Sequence, residues 1–215
     1  MNAATRHLTL SGSAGAIEAV LDAPADGIAS RGIAVIAHPH PLFGGTMDNK
    51  VVQTLARAFV HCGWTAVRFN FRGVGASAGL HDAGRGEADD FLAVVAQVAP
   101  DSNTPLALAG FSFGSFVASR ALLALWESRP ADRLVLIGTA ASRFDVPVLP
   151  PAVHERTLVV HGEQDDTVPL AAVMDWARPQ SLPVTVIPGG GHFFHGQLPL
   201  LKSLVVRHLL SDLSQ

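Results

Sequence analysis

The chain has 215 residues, a length that suits one domain of the larger kind. Hydrophobic residues make up 48% and charged residues 15%, which excludes a disordered polymer and provides for a sizeable core. The net charge of −3 and the absence of any basic run argue against nucleic acid and against a membrane surface as partners. The single cysteine, Cys62, precludes an internal disulfide and reads as packing at the end of a helix. Residues 1–7 lack the long apolar core of a signal peptide, and the most apolar helix candidate, 113–126, is shorter than a membrane span and contains Arg120. The expectation is a soluble cytoplasmic protein.

In chain order, residues 8–10 and 16–21 read as two short strands joined by a glycine turn, a hairpin for a sheet edge. A loop follows over 24–32. Residues 33–37 form a continuous apolar run, as a parallel strand covered on both faces requires. The loop His38-Pro39-His40-Pro41-Leu42-Phe43-Gly44-Gly45 comes next. Asp48 is placed to cap a helix over 49–61, whose apolar positions fall on one face before Gly63 stops it. Residues 65–71 are the next strand, and 87–98 the next helix. The apolar run 105–109 leads into Gly110-Phe111-Ser112-Phe113-Gly114, and a helix follows from Ser115 to Trp126. Further strands are expected over 134–137, 158–160 and 184–187, with helices over 170–177 and 199–210. Alternating apolar strands and helices imply an α/β fold with a mostly parallel sheet of about eight strands, flanked by helices on both faces. The whole chain reads as one domain, without repeats or linkers.

A serine held between glycines at a strand-to-helix junction is a nucleophile elbow. The turn forces the serine into a strained conformation with its hydroxyl above the sheet edge, and the N–H groups that open the helix face the same space. A serine hydroxyl needs a base, and the base needs a carboxylate to hold its tautomer. After Ser112 the chain offers Asp165 or Asp166 in one loop following a strand, and His192 in another, with His195 as a spare. An oxyanion hole needs two backbone donors. Phe113 N–H is one. The other belongs to the loop after Ala37, where Pro39 and Pro41 have no N–H, so His40 is the donor and Leu42 the second choice. Phe111, Leu42 and Phe43 are candidate substrate-binding residues, although phenylalanine beside the serine equally suits packing of the elbow.

These segments resemble the α/β-hydrolase superfamily over nearly the whole chain. His38-Pro39-His40-Pro41 is similar to its oxyanion loop, Asn70 to Ser77 to its loop after the fourth strand, His161 to Pro169 to its acid loop, and Gly190-Gly191-His192-Phe193-Phe194 to its histidine loop. The resemblance is narrowest to small bacterial serine hydrolases without a lid, of the dienelactone-hydrolase or esterase type. It implies Asp165, the first aspartate of its loop, as the acid of a Ser112–His192–Asp165 triad. It also implies a small carboxylic ester or thioester as substrate, and no cofactor or metal. The segment 138–157 is too short for a helical cap, so the site is expected to be open. Two other readings stand beside this one. The His38/His40 pair, completed by His192 or His195, suggests a metal-dependent hydrolase. The same fold also serves as a binding module with slow or absent hydrolysis.

Overall fold

The computed structural model describes residues 5–25 and 29–211. β1 (Thr5–Gly12) and β2 (Gly15–Asp22) form the antiparallel hairpin expected at the sheet edge. The strands β3 (Ile33–Ala37), β4 (Thr65–Phe69), β5 (Leu106–Phe111), β6 (Arg133–Ile137), β7 (Thr157–Gly162) and β8 (Val184–Ile187) are parallel. The eight make one sheet in the spatial order β1-β2-β4-β3-β5-β6-β7-β8. The loop read over 24–32 lies partly outside the described residues.

The apolar strands bury both faces because successive side chains alternate. Ala34, Ile36, Ala66, Ala107, Ala109, Val135 and Val160 point to one face, where α1 (Lys50–His61) and α5 (Leu198–Leu210) cover them. Val35, Val67, Leu106, Leu108, Leu134 and Leu136 point to the other, against α2 (Arg85–Val98), α3 (Phe113–Leu125) and α4 (Leu170–Ala177). Alanines recur beneath α1 and α5, and larger side chains under the opposite layer. Phe69 packs edge-on against Phe71 at 5.2 Å and Phe91 at 5.6 Å, all three fully buried. Each such ring stabilises the fold by roughly 1.5–3 kcal/mol.

Several element boundaries differ from the sequence expectation, and each difference has a local cause. The cap of α1 is Asn49, not Asp48: Asn49 Oδ1 accepts from Val51 N–H at 2.9 Å, while the Asp48 carboxylate is drawn 3.0 Å from Arg68. Arg68 is a buried strand residue that also pairs with Asp22 and donates to Met47 O. β4 stops two residues early. Asn70 N–H still reaches Glu18 O opposite it on β2, but the Asn70 side chain turns away to accept from Met47 N–H, and Phe71 N–H donates to the His38 ring instead of a strand carbonyl. α2 begins at Arg85, since the buried Glu87 carboxylate accepts from Asp82 and Gly84 N–H groups and organises the turn before it. α3 starts directly after Ser112. Between β6 and β7 the chain makes turns and one short 3₁₀ helix, Pro151–Arg156, with no cap of helices.

The capping assignment has a measurable consequence. Asn49→Ala should lower stability by about 1 kcal/mol in urea denaturation. Asp48→Ala should cost less, because its carboxylate is largely exposed and Arg68 keeps Asp22.

Candidate active site

Parallel strands deliver their following loops to one sheet edge. The register sets Ala37 beside Gly110, and Phe111 beside Ile137, so β3, β5 and β6 end together. Ser112 follows at φ 56°, ψ −116°, a conformation that L residues rarely adopt. The two glycines around it are required by contact. A Cβ on Gly110 would lie 2.1 Å from Gly114 O, and one on Gly114 would lie 2.4 Å from Ala37 O. Ser112 N–H donates to Ile137 O at 2.8 Å, which keeps the turn tied to β6. Ser115, which the sequence reading passed over, secures it from below: its buried hydroxyl lies 2.8 Å from Gly110 O and accepts from Ile137 N–H at 3.1 Å. The repeated small polar residue inside an otherwise apolar helix start was the available signal.

Two loops bring the other groups. His192 Nε2 is 3.0 Å from Ser112 Oγ, and His192 Nδ1 is 2.7 Å from Asp165 Oδ2. Asp165 Oδ1 accepts from the N–H groups of Thr167 at 2.9 Å and Val168 at 2.7 Å. Burial pushes the Asp165 carboxyl upward, but the bonds from His192 and Val168 and the neighbouring histidine rings outweigh it, and the group lies below the ordinary carboxylate range. Asp166 is exposed and, among the described residues, its carboxylate takes only the Thr167 hydroxyl, at 3.3 Å. His195 is exposed beside Phe193 and is not among the residues that line the cleft.

The predicted substrate-binding residues divide. Phe111 is fully buried and does not line the cleft; its ring lies 5.0 Å under the His192 ring and supports it, the packing alternative of the sequence reading. Leu42 is 70% exposed and also falls outside the cleft. Phe43 does line it, at the rim. The cleft beside Ser112 has a volume of about 340 Å³, with Phe43, Phe144 and Phe193 as aromatic walls. Phe144 and Arg143 belong to no motif and carried no signal in the sequence, while Phe193 stands in the histidine loop without having been assigned to the cleft wall.

The His40 and Phe113 backbone N–H groups remain uncommitted. Phe113 opens α3, where the first N–H groups have no helical acceptor. His40 N–H has no hydrogen-bond acceptor among the described residues, whereas Leu42 N–H is taken.

His38 is a scaffold residue rather than a metal ligand. Its Nδ1–H donates to Pro39 O at 2.6 Å and its Nε2 accepts from Phe71 N–H at 3.0 Å, so neither nitrogen is open. Full burial lowers its pKa to about 4. His161 plays a similar part beneath the acid loop, donating to Val168 O at 2.9 Å. Among the described residues no cluster of histidine, cysteine and carboxylate side chains is arranged to hold a metal ion.

Comparison with known proteins gives the family to which this fold belongs. The family described as serine aminopeptidase, S33 matches residues 29–155, more than half of the chain. The chain belongs to this family of α/β serine hydrolases. A lidless serine hydrolase from Xanthomonas campestris is 37% identical, with a TM-score of 0.84 over 97% of this chain and 95% of that one. A serine hydrolase homologue from Coxiella burnetii is 36% identical, with a TM-score of 0.83 over 98% and 99%. A Rickettsia prowazekii protein without an assigned function is 33% identical over 172 residues, 75% of this chain and 71% of its own length. The hydrolase is lidless like its Xanthomonas relative. None of its described helices is long and apolar enough to cross a membrane.

The buried neutral His38 makes the stability of the hydrolase depend on pH. Its folded pKa lies below the unfolded value near 6.5, so the unfolded chain binds the extra proton. Its contribution is complete above about pH 6.5 and is lost as pH falls towards 4, by roughly 3 kcal/mol. His208, also lowered to about 4 by burial, adds in the same direction. Urea midpoints measured from pH 7 to pH 4 should fall accordingly, and His38→Asn should flatten the slope while lowering stability at pH 7.

Proposed function

We propose that this hydrolase cleaves carboxylic esters, thioesters included, through an acyl-enzyme on Ser112. The observation that carries this reading is the continuous chain from Ser112 Oγ through His192 to Asp165, with bonds of 3.0 and 2.7 Å, opening on an aromatic cleft. Ser112 Oγ attacks the carbonyl carbon as His192 Nε2 takes its proton. The oxyanion is held by the N–H groups of Phe113 and His40. Collapse expels the alkoxide or thiolate, which receives that proton from His192. Water then gives a proton to His192 and attacks the acyl carbon, releasing the acid and returning the proton to Ser112. Asp165 stays ionised throughout, favouring the productive tautomer and stabilising the imidazolium. An intact relay of this kind favours catalysis over a purely binding role.

The cleft composition supports an ester rather than an aminopeptide substrate. An aminopeptidase must receive the ammonium group of a free N-terminus. Asp and Glu are absent from the residues lining this cleft, and its one permanently charged side chain is Arg143, which repels an ammonium.

A fluorophosphonate probe should label the wild type and not Ser112→Ala, and the variant should lose esterase activity by a factor on the order of 10⁶. Amino-acid 4-nitroanilides should be poor substrates beside 4-nitrophenyl butyrate; a preference for the anilides would point to aminopeptidase action instead.

The acid is tested separately. An amide at the Asp165 position stabilises the wrong imidazole tautomer and cannot neutralise the imidazolium. Asp165→Asn should therefore lower kcat by roughly 10⁴ with little effect on folding. Asp166→Asn should lose less than about tenfold, measured on the same ester with circular dichroism as the folding control.

A further inference from the structure

Arg143 follows β6 on the turn that forms one wall of the cleft. The turn is held firmly. Arg143 N–H and Phe144 N–H both donate to Ala140 O, at 3.0 and 3.1 Å. The Phe144 ring stacks on Phe116 at 4.9 Å with an interplanar angle of 14°, and lies 5.1 Å from Phe113, the residue after the serine. Arg143 is thus fixed at its backbone to the same aromatic cluster that supports the elbow.

Its guanidinium makes no hydrogen bond or ion pair with the described residues. The nearest acid in sequence, Asp145, faces a separate hollow with Asp175 and Trp176. A lone exposed arginine is ordinarily only a solvated charge. This one lines a cleft with aromatic walls, and no carboxylate among the lining residues pairs with it. Its charge is felt across the cleft at His40, which burial, His81 and Arg143 together hold below the ordinary histidine range against the opposing pull of Glu87. His40 therefore adds no second cation at neutral pH.

We propose that Arg143 determines substrate class: it binds a carboxylate on the substrate, remote from the scissile ester, so that the preferred substrates are anionic esters or thioesters with an apolar spacer between the two groups. The fork of one guanidinium matches the two oxygens of a carboxylate. Phe43, Phe144 and Phe193 accommodate the spacer, and the volume suits a small molecule. This proposal rests on the hydrolase reading of the same cleft.

Two substrate pairs test it, one with the anion on the acyl side and one with it on the leaving group: monoethyl adipate against ethyl hexanoate, and 4-acetoxybenzoate against 4-acetoxybenzamide. In at least one pair, kcat/KM of the wild type should favour the anion by about tenfold at low ionic strength, and the preference should shrink as salt is added. Arg143→Gln should abolish that preference, and Arg143→Lys should retain part of it. An unchanged preference in Arg143→Gln, or none in the wild type, overturns the proposal. Calorimetry with 3-phenylpropionate and 3-phenylpropionamide reads the anion site without turnover. The acid should bind the wild type at least fivefold more tightly than it binds Arg143→Gln, and the amide should not distinguish them. A binding difference without hydrolysis of any ester would refute the hydrolase reading and leave the anion site standing. Hydrolysis without preference or binding difference would do the reverse.

Discussion

The backbone of Ser112 is the constraint on which the site depends. Holding a serine at φ 56°, ψ −116° costs on the order of 1–3 kcal/mol, and the surroundings must prevent its relaxation. They do so by contact and hydrogen bonding. Gly110 and Gly114 allow the helix start to press against the ends of β3 and β5 with no room for a Cβ. The Ser115 hydroxyl and Ser112 N–H pin the turn to Ile137 on β6. These restraints exist only while β3, β5 and β6 are in register. The strained turn is therefore a property of the packed sheet, and its outcome is a hydroxyl aimed at a cleft under the free N–H groups of a helix.

Four histidines around this turn show how surroundings divide one residue type among different tasks. His38 has both nitrogens engaged and is held neutral by burial, which fastens the loop after β3 to the end of β4. His161 lies beneath the acid loop and donates to Val168 O, the residue whose N–H holds Asp165. His40 presents its backbone to the cleft and turns its ring onto Phe113 at 4.9 Å and His81 at 4.7 Å. Only His192 has one nitrogen on a carboxylate and the other on a hydroxyl. An H-x-H spacing is suggestive of metal ligation in a sequence, but the lone pairs of His38 and His40 are spent on local hydrogen bonds.

Between β6 and β7 the chain builds a wall rather than a cover. Phe144 from this segment stacks on Phe116 of α3, so the connection is tied to the elbow helix. With no helices above it, the cleft remains open to water on one side. Selectivity in such a site has to come from what its walls present, and these walls combine aromatic rings with a single cation.

Much of this was legible in the sequence because it depends on neighbours along the chain. Apolar runs and their alternation determined the strands, and glycines at the strand-to-helix junction determined the tight turn at Ser112. Proline at 39 and 41 removed two N–H groups from the loop after β3 whatever the fold. Boundaries moved where a distant side chain intervened, as when Arg68 took Asp48 and left the cap of α1 to Asn49. Which aspartate reaches the histidine was open on the residues alone, because Asp165 and Asp166 differ by one position. Tertiary packing separated them by burying one and exposing the other. Phe111, Phe43, Phe144 and Arg143 could not be sorted into support and cleft wall from spacing, since no local rule sets the direction of a loop side chain. Ser112 and His192 are 80 residues apart, and Asp165 and His192 are 27 apart. The sequence by itself determined which groups the chain possesses and the sheet edge that collects them; only the packing of loops from different strands decided their distances, because those contacts join segments with no short-range link between them.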